Sequence, residues 1–245
     1  MPEIVKTEAI VLNKIDYGDS SKIVSLYTKE FGRISAIIKG ARLSKSKIGR
    51  IVDVMNYIDI ILYKKDSRQV QLITQADLIL HYNKIKNDLN KLKYASAVLE
   101  LAYNLTPEGE VNYKIFKGVV RIFSLMESSD EQTGILLLKF ILFFIKETGF
   151  ELQIDKCTYC GRELDLSKIK YFNFEKGIFC EDCAKDHLVS FTISPELFNL
   201  FLCLRNKQIK TVFVDKLIDN ALVFLEKYIK YHIPEFKGIN SIKLF

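Results

Sequence analysis

The 245-residue chain has no apolar run long enough to cross a bilayer, which takes about 20 such residues in a helix. Its most apolar stretch, ILLLKFILFFI at 135–145, is short, carries Lys139 and reads as a buried helix. The opening, MPEIVKTEAIVLNK, lacks a basic segment followed by an apolar core, so no secretory signal is expected. The expectation is a cytoplasmic protein in a reducing compartment, without membrane contact. Signatures of catalysis are missing too: no G-x-x-x-x-G-K-[ST], G-x-G-x-x-G or G-x-S-x-G occurs. There are three histidines, His81, His187 and His232, scattered and without partners at useful spacing. Asp16 and Asp19, within DYGDSS, read as turn-capping residues rather than a carboxylate pair. The chain reads as a binding protein, not an enzyme.

One further absence is local. Residues 32–52, GRISAIIKGARLSKSKIGRIV, contain no acidic side chain, yet they carry Arg33, Lys39, Arg42, Lys45, Lys47 and Arg50. The formal net charge of the whole chain is only +6. Residues 1–80 hold 13 basic and 9 acidic side chains, so most of the excess lies in the first third. Small residues, Gly40, Ala41, Ser44, Ser46 and Gly49, separate the cations and read as backbone kept bare for close approach of phosphates. A solvated face is the plainer account of any basic run. What favours nucleic acid here is the element that carries it.

Between residues 5 and 80 five short segments rich in β-branched and aromatic residues alternate with turn formers: TEAIVLNK, KIVSLYT, RISAIIK, VMNYIDIILY and QVQLITQADLIL. Five consecutive strands in so short a span predict a small closed barrel, an OB-fold first, with an SH3-like barrel left open. Such barrels track single strands with a cationic groove and aromatic platforms, for which Tyr17, Tyr27, Phe31, Tyr57 and Tyr63 are available. If all six cations met phosphates of a single strand, log K would fall against log salt with a slope of about −4.

From residue 84 the apolar period lengthens to three and four, predicting helices over 84–105, 113–126 and 133–150, the last closed by Gly149. Two more follow, one starting at Ser194-Pro195 and one over 214–232. The reading is α+β and multidomain. Residues 1–81 form a nucleic-acid-binding OB-fold, and residues 82–245 form a helical domain with a metal motif at 155–187.

That motif is CTYCGRELDLSKIKYFNFEKGIFCEDC. Cys157 and Cys160 form one C-x2-C, Cys180 and Cys183 a second, with 19 residues between. The spacing is that of a four-thiolate zinc site, in which each two-residue gap lets two sulfurs reach one ion at about 2.3 Å. Four thiolates leave no open position, so one structural zinc ion is expected. YFNFEKGIF reads as a hairpin, His187 as a surface or helix-start residue, and Cys203 as a buried thiol.

The stretch IDYGDSSKIVSLYTKEFGRISAIIKGARLSKSK, the paired C-x2-C motifs and the terminal GINSIKLF together resemble the RecO family of bacterial DNA repair and recombination proteins. The segment Lys39–Ser46 is the most specific part of the likeness. The resemblance covers the chain in order and implies a recombination mediator of the RecFOR pathway. Such a mediator binds single- and double-stranded DNA, anneals complementary strands and works with RecR to help RecA replace the single-stranded DNA-binding protein SSB. It implies DNA contacts at Lys39, Arg42 and Lys45 first, a helical domain that docks the SSB C-terminal tail, and association with the nucleoid when DNA is bound. For that tail, Arg121 and Lys139 are candidate cations. Family tails commonly place a basic residue before the terminal serine; this chain has Asn240, flanked by Lys237 and Lys243. Two other readings remain on the residues themselves: a zinc-ribbon nucleic-acid adaptor or transcription factor, and an interaction scaffold without DNA binding.

Overall fold

β1 (Glu3–Tyr17) is long enough to serve two neighbours. Its first half pairs antiparallel with β4 (Tyr57–Lys64) and its second half with β2 (Ser21–Thr28). A bulge between Val11 and Asn13 bends it between the two partners. β3 (Gly32–Ile38) pairs antiparallel with β2, and parallel with β5 (Val70–Leu80) through Ser35–Ile37 and Val70–Leu72. The order β1-β2-β3-β5-β4 closes on itself, which is the OB-fold arrangement. Strand alternation sends Ala9, Val11, Val24, Leu26, Ala36, Ile38, Ile58, Ile60 and Leu62 into one core. These observations come from a computed structural model that describes residues 3–206 and 212–244.

The chain divides into two compact units. The first comprises residues up to Ser129 together with those from Ile239 onward; the second runs from Asp130 to Gly238. The apolar period changes near residue 82, but the first unit also keeps the next three helices. A short helix, α1 (Lys47–Ile51), lies in the β3–β4 connection. After the barrel come α2 (Asn83–Asn87), α3 (Leu89–Leu105) and α4 (Tyr113–Ser128). The expected single helix over 84–105 is broken at Asp88, whose carboxylate instead accepts from the Asn90 and Lys91 amides and caps α3. Glu127 of α4 does the same for α2, accepting from the Lys84 and Ile85 amides.

Asp53 joins Lys14 of β1 to Lys86 of α2. Burial pushes its carboxyl up, but the two lysines outweigh this and hold it below the usual aspartate range. A carboxyl lower in the folded than in the unfolded chain stabilises fully above the unfolded value, about 4. That contribution fades as pH falls through the folded value. The first unit is expected to weaken in acid below about pH 4, and Asp53→Asn to flatten this limb in pH-dependent urea unfolding.

The terminal 3-10 turn (Asn240–Leu244) belongs to the first unit. Glu100 of α3 holds it: one oxygen accepts from the Asn240 backbone and side-chain nitrogens, the other from the Ser241 amide and hydroxyl. Four hydrogen bonds on one half-buried carboxylate predict that Glu100→Ala costs the first unit about 1–3 kcal/mol. It should also open the tail to carboxypeptidase, and an unchanged digestion rate would contradict the assignment. Phe245 lies outside the described residues.

In the second unit, α5 (Thr133–Glu147) ends in a Schellman motif. Gly149 sits at φ +90°, and the Phe150 and Gly149 amides reach back to Ile145 and Lys146 carbonyls. β6 (Lys170–Asn173), β7 (Gly177–Phe179) and α6 (Glu181–Ala184) follow, then β8 (Phe191–Ile193), α7 (Pro195–Asn206) and α8 (Asp215–His232). The sheet order is β7-β6-β8. Its Phe172 and Phe191 rings pack against Phe224 of α8, each with centroids 5.1 Å apart. Ser194 caps α7, and Cys203 on that helix is half-buried rather than fully enclosed. Among the described residues no helix is long and apolar enough to cross a membrane.

Candidate nucleic-acid interface and metal centre

The basic connection is a folded element. Gly40 turns the chain at φ +67°, a conformation costly for any residue with a Cβ. Ala41 is buried at the end of the barrel core. Two turns, Leu43 N–H to the Gly40 carbonyl and Ser46 N–H to the Leu43 carbonyl, wind the chain into α1. Ser46 caps that helix, its hydroxyl accepting from Gly49 N–H at 3.2 Å. Ile48, Ile51 and Val52 then pack on the barrel core. Gly49 lies against Ala41 so closely that a Cβ would sit 1.9 Å from the Ala41 carbonyl oxygen. Four of the small residues that read as bare backbone for phosphates are therefore required by the loop's own fold. Ser44 alone stays exposed.

The six cations are not equivalent. Arg33 does not face solvent freely: its Nε donates to the Thr106 carbonyl at 2.8 Å, and its guanidinium lies 5.3 Å from the Tyr103 ring centre, anchoring the end of α3. Arg42 staples the loop to the β1–β2 turn. Its amide donates to the Ser20 carbonyl at 2.8 Å, its Nη1 to Gly18 at 2.9 Å, and Nε pairs with Asp16 at 3.4 Å. Lys39, Lys45, Lys47 and Arg50 are exposed, and no carboxylate among the described residues pairs with them. Clustered like charges without counter-charges make a local positive potential suited to a polyanion. Of the aromatic candidates, Tyr27 is buried, Phe31 is half-buried, and Tyr57 donates to Glu8 and packs on Phe116. Tyr17 and Tyr63 reach the surface.

The sulfurs of Cys157, Cys160, Cys180 and Cys183 all lie within 4.8 Å of one another, and Cys160 and Cys180 are 3.8 Å apart. Metal–sulfur bonds of about 2.3 Å at tetrahedral angles put sulfurs roughly 3.8 Å from each other, so the set can hold one metal ion. The first knuckle is shaped by Gly161, at φ +71°, whose amide donates to the Cys157 carbonyl. The Arg162 amide and guanidinium both point at Cys160 and pull its thiol down to about 6. Backbone amides of Cys160, Cys180 and Tyr159 favour the thiolate of Cys157 against the burial that opposes it. Donors aimed at sulfur suit a thiolate-bound metal. His187 is exposed and stacks on Tyr159 with centroids 3.6 Å apart.

Residues 1–82 match the family profile described as Recombination protein O N terminal, and residues 86–238 that described as Recombination protein O C terminal. The chain belongs to the RecO family. A DNA repair protein RecO of Chloroherpeton thalassium is 29% identical over 253 aligned positions, covering 99% of this chain and 98% of that protein. One from Alkaliphilus metalliredigens is 27% identical over 98% of both chains. One from Chlorobium limicola is 35% identical over 67% of this chain and 63% of the relative.

Two features of this RecO-family chain carry no signal in its sequence pattern. Arg33 and Arg42 look like their basic neighbours, yet carbonyls at Thr106 and Gly18, distant in sequence, claim them. Glu100 sits on an ordinary helix face, and only the fold brings the tail to it. Of the cations considered for an acidic tail, Lys139 is paired with Glu131 and Arg121 is exposed on α4.

Proposed function

We propose that this chain is a recombination mediator whose barrel holds DNA through the 39–50 connection. In this reading residues 1–81 form the nucleic-acid-binding domain and residues 82–245 recruit protein partners. The observation that carries it is the set of exposed cations Lys39, Lys45, Lys47 and Arg50, unpaired among the described residues and fixed on an OB barrel by α1 and Arg42. Phosphates displace condensed counterions there, so binding is sequence-independent, strongest at low salt, and open to single and double strands alike. Arg42 contributes as a staple and through its exposed edge; Arg33 contributes by fixing β3 against α3.

Screening the charges of two strands at once would let them anneal, and handing the product on would fit cooperation with RecR, SSB and RecA. The metal is zinc in this proposal, held by Cys157, Cys160, Cys180 and Cys183 as a structural ion. When bound it would offset half of the charge of the four thiolates and tie the β6–β7 hairpin to its flanking knuckles.

The test is fluorescence anisotropy of a labelled single-stranded oligonucleotide across a salt series. Changing Lys39, Lys45 and Lys47 together to alanine should weaken binding and flatten the log–log salt slope by about 2. An unchanged slope in a folded variant would place DNA elsewhere. No binding by the parent protein would favour the scaffold reading.

A further inference from the structure

One carboxylate sits inside the basic surface. Among the described residues Asp16 is the one acid paired with a cation of the 32–52 run, and that cation is Arg42. Its Oδ2 lies 3.4 Å from Arg42 Nε, and its Oδ1 lies 3.8 Å from Nζ of Lys22, a cation outside the run. Strand register explains the meeting. Asp16 and Lys22 stand directly opposite each other in the β1–β2 ladder, and Lys22 stands opposite Ile38, the residue before Lys39. Arg42 reaches the same place because its amide and Nη1 donate to the Ser20 and Gly18 carbonyls of the β1–β2 turn. Two cations from different elements therefore converge on one pair of oxygens.

A carboxylate shared by a guanidinium and an ammonium stands where a phosphate could stand. It is a loose occupant. Charge-assisted N–H···O bonds are about 2.7–2.9 Å long, and both contacts here are longer. The Asp16 side chain is 59% exposed and that of Arg42 40%, so water screens the pair and it contributes little to stability. The loop does not depend on it either, since the Ser20 and Gly18 carbonyls hold Arg42 without it. Nor is the guanidinium used up: Gly18 and Asp16 engage two of the five N–H donors that an arginine carries. Asp19, in the same turn, is exposed as well but pairs with no described cation.

We propose that Lys22 and Arg42 form a further phosphate subsite of the DNA surface, and that Asp16 is its resident anion in the free protein. DNA takes this subsite by displacing the Asp16 carboxylate. The inference rests on the phosphate-binding role of the 39–50 connection. It adds a cation that the basic run does not contain, and an internal competitor that limits how tightly a strand is held. The exchange is visible in salt dependence. A phosphate entering an empty cationic subsite releases a counterion. One that evicts a carboxylate leaves that group to recruit a cation from solution, so the net release is smaller. The competitor thus weakens binding and flattens its salt slope, which suits a protein that passes strands on.

The experiment follows anisotropy of a labelled oligothymidine over about 50–200 mM salt, with circular dichroism confirming that each variant is folded. Asp16→Asn is expected to tighten binding about threefold at the low-salt end. It should also steepen the log–log slope by about 0.7, the share of one phosphate on a single strand. Asp16→Glu, which keeps the charge, should match the parent protein, and Asp19→Asn should leave the slope unchanged. Adding Lys22→Met, which keeps an apolar stem but no charge, to Asp16→Asn should cancel most of the gain. Equal gains from Asp16→Asn and Asp19→Asn would overturn the inference, because the general field and not a subsite would then be acting. Weaker binding by a folded Asp16→Asn would overturn it too, since Asp16 would then be a staple for Arg42. If Asp16→Asn matches the parent while changing Lys39, Lys45 and Lys47 to alanine weakens binding, this inference alone falls. If the triple lysine variant also binds as the parent does, the loop reading falls with it.

Discussion

Chelating the metal, or changing Cys157 to serine, is expected to melt the second unit well below the first and to leave oligonucleotide binding by the barrel nearly intact. Folding free energies of about 10–16 kcal/mol have their origin in structural zinc in small peptides, and much of that scale applies where the ion organises the chain. Here β6 and β7 are only four and three residues long, too short to persist unaided. Aromatic packing limits the loss. Phe172, fully buried, rests on Phe224 and Tyr228 of α8, so part of the hairpin retains its apolar contact without the ion. A two-step thermal transition after chelation, against one with metal, is the expected record in circular dichroism. Equal loss of DNA binding and of second-unit structure would contradict the division of labour between barrel and metal motif.

Gly32→Ala and Gly49→Ala are expected to be among the most damaging glycine substitutions in the first unit. At Gly32 two costs coincide: φ is +64°, and an added Cβ would lie 2.0 Å from the Glu110 carbonyl oxygen. Backbone atoms cannot swing aside as a side chain can, so a loss of about 3 kcal/mol or more is expected, roughly 10 °C in Tm. Gly49 pays the steric cost without the dihedral one. To relieve its clash with Ala41, α1 must lift from the barrel end, carrying Lys47 and Arg50 with it. Gly49→Ala should therefore lose stability and DNA affinity together. Gly109→Ala is the control: φ is +78° but nothing lies within 4 Å of the added carbon, so only the dihedral cost of about 1–2 kcal/mol remains. Equal Tm losses at Gly32 and Gly109 would show that the close approach carries no weight.

Much of this fold is legible in the amino-acid order because local signals agree with the final packing. Strand segments 22–28 and 33–39 fall within a residue of β2 and β3, since alternation and flanking turn formers act locally. Ser194-Pro195 and Gly149 mark helix ends by chemistry that needs no tertiary partner. The paired C-x2-C spacing likewise brings four sulfurs together because the ligand geometry itself fixes the gaps. The rest depends on long-range contacts. A five-residue helix inside the basic run has too few residues for its period to show, and its stability comes from Ile48 and Ile51 reaching the barrel core. Arg33 and Lys39 differ in fate only because α3 ends beside one of them.

Hydrogen exchange of the free protein and of its complex with a single-stranded oligonucleotide tests the central assignment most directly. Binding at the barrel predicts slowed exchange in peptides spanning 15–23 and 37–52, where Arg42 joins the two segments, with little change at 155–187. Protection elsewhere, with residues 37–52 exchanging as in the free protein, would contradict it.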